Sequence, residues 1–515
     1  MFPDWIGATL NDSKTFEWWT KELSIWYEQV KFDGIWIDMN EVASFCEGSC
    51  GSDQRDYREP PPFLRGAEET SKHLADEEEE SHHVLGKDHR NVNRPPYVIN
   101  NVHGHLTVKA VAPEAVHRGG IVEYDVHNLY GHQILNATYN ALLSLEPAKR
   151  PFIIGRSTFA GSGKWAGHWG GDNYSLWPWL ALSIPQALSF SIFGIPFFGV
   201  DACGFSMEAN AEICARWMEL AAFFPFYRNH NEIEKRPQEP YVWEEVAEAT
   251  RRVMEIRYAL LPYFYTLLYR AHQRGDTVLR ALAWEFPDEP WLAAVDMQFL
   301  IGPAILVTPV LTEGATSVDG ILPGAGSGTV WYDWYTHRRT DAKRGENVTF
   351  DAPLEHIPLH IRGGHVLALQ DPGMTTRESR DGDWEVLVAL GEDGVASGEV
   401  YIDDGESLNP QDILLVDVSH PIPSDIVRAD SYKLHAGEGT LSAKTEGAYQ
   451  DTHPLRKVTV MGGKDVSSVA FNGKKLEKDW EFDGDAGVLT VDLKSSTLGG
   501  AWSAEWKLEW KLEWK

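Results

Sequence analysis

Cysteine is scarce: the 515-residue chain has four, in two close pairs. That excludes a disulfide-dense mini-scaffold. Neither pair is followed by a second Cys or His pair at finger spacing, so no zinc finger is read. Basic residues are also short, with 46 Lys and Arg against 76 Asp and Glu, a net charge of −30. Nucleic acid and anionic membranes both need a basic face, so neither is expected as the main partner. Long apolar runs are missing too. The most apolar window, roughly 179–200, is broken by Ser, Gln, Pro and Gly and reads as buried core rather than a membrane span. The opening Met1-Phe2-Pro3-Asp4-Trp5 has neither the basic nor the apolar region of a signal peptide. No dinucleotide fingerprint occurs. Gly161-Ser162-Gly163-Lys164 fails as a phosphate loop, because Thr158 stands where the first glycine belongs and Trp165 follows the lysine.

What is present is ordinary in bulk: 43% apolar and 24% charged residues. At about 100–200 residues per domain, two to four domains with a sizeable core are expected. Aromatics reach 12%, with 21 Trp matching 21 Phe. Such a surplus suits pocket walls and sugar-stacking platforms, or simply a Trp-rich core. Cys46 and Cys50 lie four apart, and Cys203 and Cys214 eleven apart. Local pairs in even number suit two small-loop disulfides and hence an oxidising compartment. Sequons at Asn11, Asn136, Asn173 and Asn347 point the same way, weakly, since chance supplies a few in any long chain.

Helical periodicity runs over 15–30, then Phe32-Asp33-Gly34-Ile35-Trp36-Ile37-Asp38 forms a short apolar strand ending in a carboxylate. Residues 47–115 are rich in Pro, Gly and charge, with the acidic run 76–80, and read as an insertion loop. Its closely spaced histidines, His82-His83 and His103-Gly104-His105, read as loop residues rather than metal ligands; no metal or cofactor is expected. Further helices are expected near 124–147, 177–192, 208–222 and, as one long helix, 243–273. Strand-like runs lie at 151–157, 165–172, 195–201 and 223–230, each ending in a polar or charged group. Strand then helix, repeated, with chemistry at the strand ends, is the grammar of a (β/α)8 TIM barrel. Five strands of eight are visible, so an incomplete barrel (about strands 4–8) over residues 1–280 is expected, with about three units lying upstream. From about 281 short alternating strands dominate and predict two C-terminal β-sandwich domains, 281–368 and 369–515. The tail repeats EWK, LEWK, LEWK, and its Trp506, Trp510 and Trp514 fit one face of a helix.

The strongest chemical signal is Trp36-Ile37-Asp38-Met39-Asn40-Glu41. A strand ending in Asp, with a second carboxylate three residues on, puts two acids at a barrel mouth, where one can attack an anomeric carbon. Taken alone, an Asp there is more often a turn cap. The second signal is Ala166-Gly167-His168-Trp169-Gly170-Gly171-Asp172-Asn173. Glycines admit a ligand close to the backbone, and Trp169 offers an apolar wall that would desolvate Asp172 and raise its pKa, as a general acid needs. Arg156 ends another strand and suits sugar hydroxyls or a carboxylate, with a structural salt bridge as the plainer reading. Asp201 ends the next, its plainer reading being a pair with Arg156, and His230 follows in Arg228-Asn229-His230-Asn231. Four strand ends carrying such groups are harder to get by chance than any one.

At these residues the chain resembles glycoside hydrolase family 31, in particular its α-glucosidases. WIDMNE resembles the nucleophile signature, and GRSTFAG with GHWGGDN the acid/base signature; GVDACGF and FPFYRNHN resemble two further blocks, in family order. The resemblance covers nearly the whole chain to about 370, more loosely beyond. It implies Asp38 as nucleophile, Asp172 as acid/base, and Glu41 in support. It also implies Trp36, Met39, Arg156, Trp169, Asp201, Phe205 and His230 around the glycone, and a Cys203–Cys214 disulfide. The expected activity is retaining hydrolysis of terminal α-linked glucose from maltose-like and starch-derived chains, by a secreted enzyme without cofactor. Alternatives are α-xylosidase or transglucosidase activity, or an inactive remnant. Two features depart from the pattern: Val42 stands where many members have Pro, and the strands carrying a further sugar-holding carboxylate are not present.

Overall fold

The computed structural model describes residues 3–6, 14–43, 92, 109–420, 438–494, 500–502 and 504–512. Most of the expected insertion, including Cys46 and Cys50, lies outside them, as do Asn11, the loop histidines and Trp514. The chain divides into two compact units, Met1–His168 and Trp169–Lys515.

The first unit is a helix–strand–helix–strand arrangement. Helix Lys14–Gln29 leads to strand β1 (Gly34–Ile37), and helix Tyr130–Leu145 to strand β2 (Phe152–Gly155). The strands pair in parallel, Gly34 opposite Phe152 through Ile37 opposite Gly155. Strand β3 (Gly167–Trp169) continues the parallel order, with Ile154 opposite Gly167. Parallel strands linked by helices are the expected barrel grammar. Trp19 on the first helix donates its indole N–H to Thr138 on the second at 2.9 Å. Leu135 packs so close to Gly155 that a Cβ there would sit 2.5 Å from its Cδ2, so any larger residue before Arg156 would force that side chain to move.

In the second unit, helix Trp177–Ile192 falls where the periodicity put it and buries Leu180, Ile184, Ala187 and Leu188. Among the described residues no helix is long and apolar enough to cross a membrane. Two-residue strands β4 (Phe198–Gly199), β5 (Asp201–Ala202) and β6 (Arg228–Asn229) follow; β5 and β6 pair in parallel. Helix Ala211–Ala221 is capped by Asn210, which accepts from the Ile213 N–H at 2.9 Å. The expected 243–273 helix is two helices, Glu244–Ala259 and Leu261–Arg274. Pro262 has no N–H to offer and clashes with the preceding turn, so the helix breaks and restarts on it.

The C-terminal part is mainly β, with short helices at Leu282–Glu285 and Thr376–Arg380. A six-stranded antiparallel sheet begins at Leu279–Arg280, and a hairpin of Ser317–Ile321 with Asn347–Asp351 accompanies it. An eleven-stranded sheet follows, beginning with His365–Gln370, so it starts a few residues before the expected 368/369 boundary. Its central strands are buried on both faces. Val366 and Ala368 face the distal core, while Leu367 and Leu369 join the core that begins in the Trp177–Ile192 helix. That core also takes in Leu387, Met461 and Val488, so the helices of this unit and both β modules share one apolar interior. The tail is the clearest departure. Trp506–Leu512 is a strand, not a helix, with Trp506, Leu508 and Trp510 buried between outward Lys507 and Glu509. A four-residue spacing is a multiple of two, so it fits one face of a strand equally well, and the alternating Lys and Glu decide the period.

Candidate active site

In the first unit the chemistry gathers where β1 and β2 end. The Arg156 N–H donates to the Ile37 carbonyl at 3.1 Å, continuing the pairing of the two strands. Its guanidinium forks onto Glu41, with Nε to Oε1 at 2.8 Å and Nη2 to Oε2 at 2.9 Å. The remaining nitrogen, Nη1, lies 2.9 Å from Asp38 Oδ1. The Met39 N–H donates to that same oxygen at 2.7 Å, from a residue held at φ +54°. Both bonds fall on Oδ1; Oδ2 receives neither. The planar guanidinium fork thus fixes two carboxylates at set angles. Asn40 locks the loop from behind, donating to the Ser157 carbonyl at 3.2 Å and accepting from the Ser157 N–H at 2.8 Å.

Burial pushes the Glu41 carboxyl up, but the Arg156 hydrogen bonds, a backbone hydrogen bond and the Arg156 charge outweigh it and hold the pKa below the ordinary value. His168 is buried beneath this layer, with Nδ1 3.0 Å from the Gly155 carbonyl oxygen. Desolvation pushes its pKa down to about 4, so it is neutral. Trp36 and Met39 are about half exposed, at 49% and 54%. They present an aromatic and a thioether surface beside Asp38 rather than filling the core.

In the second unit Trp169 and Asp201 are held by one cation. Asp201 is wholly buried, and Oδ1 accepts from Arg228 Nε at 3.0 Å and again from Nη2. Arg228 also lies over the Trp169 ring, 4.9 Å from its centre. Arg228 is thus a cation partner of Asp201 that its plainer reading did not name. Asn173 joins the neighbouring loops, donating to the Asp201 carbonyl at 3.0 Å and accepting from the Phe205 N–H at 2.9 Å. Phe205 and His230 face each other with ring centres 5.3 Å apart. Asp172 follows directly after Gly171, which sits at φ +73°. Its carboxylate is exposed, so the shielding expected from Trp169 is not made; that ring is taken up by Arg228. The Cys203–Cys214 disulfide is formed. Among the described residues no cluster of His, Cys, Asp or Glu is placed to hold a metal.

The sequence reading missed Asn40, His168, Asn173 and Arg228. Only Arg228 left a usable signal, because a carboxylate ending a buried strand requires a cation and this one ends the next strand. The others act through backbone groups, which leave no pattern in composition.

Two family models match: residues 1–267 the Glycosyl hydrolases family 31 TIM-barrel domain, and residues 275–367 the Glycosyl hydrolase family 31 C-terminal domain. The chain belongs to glycosyl hydrolase family 31. It is 48% identical to an alpha-glucosidase of Aspergillus niger, over 98% of this chain and 53% of that protein. To Glucoamylase 1 of Schwanniomyces occidentalis it is 45% identical, over 94% of this chain and 52% of that protein. Among solved structures, the ER glucosidase II heterodimeric complex matches with a TM-score of 0.72 at 27% identity, covering 97% of this chain and 48% of that one. The chain spans about half the length of the curated relatives it matches.

Proposed function

We propose that the protein carrying this chain is a retaining α-glucosidase that removes terminal non-reducing glucose from maltose, malto-oligosaccharides and starch-derived glucans. The observation that carries the reading is the Arg156 fork, which fixes Asp38 by one oxygen at the end of a barrel strand. In the first step Asp38 Oδ2 attacks the anomeric carbon while Asp172 gives its proton to the departing glycosidic oxygen. A covalent glucosyl ester forms and the leaving sugar departs. In the second step Asp172, now a carboxylate, takes a proton from water. The water oxygen attacks the same carbon and frees Asp38, and two inversions give net retention. This chemistry requires the two carboxyl groups to lie about 5–5.5 Å apart. Trp36, Met39, Phe205 and His230 would line the glycone. Asp201, buried under Arg228, positions the Trp169 wall rather than touching sugar.

The disulfide supports an oxidising, secretory setting. The sequons support it less than their number suggests. Asn173 and Asn136 are buried and their side chains are hydrogen-bonded, which leaves Asn347 as the exposed acceptor among the described ones.

The test is anomeric product analysis with Asp38→Ala and Asp172→Ala in the full protein. The parent should release α-glucose first, and Asp38→Ala should lose about 10⁴-fold or more in kcat. Asp172→Ala should keep a large part of its activity only on aryl glucosides whose leaving group needs no proton. Normal turnover by Asp38→Ala sinks the assignment. A second reading, that the 515-residue chain by itself is inactive, is favoured by exposed apolar side chains such as Trp26, Leu182 and Ile192. A sharp cooperative melt of the isolated monomer with measurable turnover would overturn it.

A further inference from the structure

A cleft of about 310 Å³ lies in the second unit, and none of the residues assigned above lines it. It opens where helix Glu244–Ala259, the loop after strand Trp331–Asp333 and the large sheet meet, the kind of junction at which small-ligand sites form. One wall is apolar, made by Ile256, Ala259, Leu369 and the half-buried ring of Trp334. The other is a fixed ionic lattice. Arg456 Nη1 donates to Asp371 Oδ2 at 2.7 Å and Nη2 to Glu385 Oε1, while Lys457 Nζ reaches Glu385 Oε2 at 3.2 Å. Each member therefore keeps a defined orientation before any ligand arrives.

The geometry points to a second sugar site here, lined by none of the residues proposed to cut the bond, one that holds a segment of neutral α-glucan. A pyranose ring has one apolar face and a rim of hydroxyls, each both donor and acceptor. An aromatic and aliphatic wall opposite a carboxylate–guanidinium lattice offers the complement of both. The charges lining the cleft run against an anion, because Glu255, Asp371 and Glu385 outnumber Arg456 among the lining residues. The inference takes the kind of sugar from the α-glucosidase reading and nothing else. It predicts a protein that retains long chains better than short ones.

The experiment is calorimetric titration of maltoheptaose into the full protein carrying Asp38→Ala, so that the probe is not consumed. Two binding events per chain are expected, one of them lost or weakened about three- to tenfold by Trp334→Ala, the scale of one aromatic contact. Glu255→Arg places a long cation in the mouth of the cleft from an exposed position, where folding is not at stake, and should do the same. In the otherwise unmodified enzyme both changes should raise KM for soluble starch and leave kcat/KM on an aryl α-glucoside unchanged. A single binding event indifferent to both substitutions, with an unchanged starch KM, overturns the site. Full turnover by Asp38→Ala together with Trp334-dependent maltoheptaose binding would sink the catalytic assignment and keep the cleft, so the two readings fail separately.

Discussion

At the residue scale, the site depends on which atoms of a side chain are already engaged. Arg156 spends two nitrogens on Glu41 and one on Asp38, so its shape matters as much as its charge. Arg156→Lys keeps the charge but cannot fork. It should lower kcat/KM about 10²-fold through a misdirected Asp38, with the melting temperature little changed, as steady-state kinetics beside calorimetry would show. His360 makes a prediction of the opposite kind. It is buried, its Nδ1 has no hydrogen-bond partner among the described residues, and desolvation pushes its pKa from 6.5 down to about 4. Between those values the unfolded chain takes up a proton that the folded chain refuses. Stability is therefore full above about 6.5 and falls as pH drops towards 4. The same sign holds for His168. His360→Leu should leave the melting temperature at pH 7 unchanged or higher, and should shrink its fall between pH 7 and pH 4.5. An unchanged pH slope in thermal scans would contradict it.

Elements come next. The segment from Phe223 to His230 has little regular structure, yet it supplies Arg228 and His230. Its order comes from Arg257 on the Glu244–Ala259 helix. That guanidinium donates to the carbonyls of Ala222 and Phe224 at 2.6 Å each and of Pro225 at 2.8 Å, and lies over Tyr227 and Phe264. Arg257→Met preserves the packing stem but leaves the three carbonyls without their donor. It should cost about 3 kcal/mol in urea unfolding, and the survivors should show a raised KM rather than a lost nucleophile. Helix boundaries were legible where caps and prolines mark them, as at Trp177–Ile192. They were misjudged at 243–273, where continuous periodicity hid the break at Pro262. The tail was misjudged because Trp at every fourth position satisfies helix and strand alike.

At the scale of the whole molecule, the residues from 169 onward share a core that domain-by-domain reading divides. Leu387, Met461 and Val488 from the distal sheet pack into the same interior as Leu180, Trp217 and Phe299. A chain cut after Arg362 should therefore not yield a soluble barrel with its first β module. We expect it to aggregate, and a monodisperse, cooperatively melting product in gel filtration and calorimetry would refute this. What the sequence determined by itself was the class of fold, the order of its elements and the strand ends at which Asp38 and Arg156 stand. Strand-end carboxylates and period are local properties, written in neighbouring residues. Which cation neutralises Asp201, that Asp172 stands in solvent, that Asn40 and Asn173 bind loops through their backbones, and that Trp334 shares a cleft with Arg456 were decided only by the tertiary structure. Those facts join residues tens to more than a hundred positions apart, and only the folded chain brings such residues within a few ångströms.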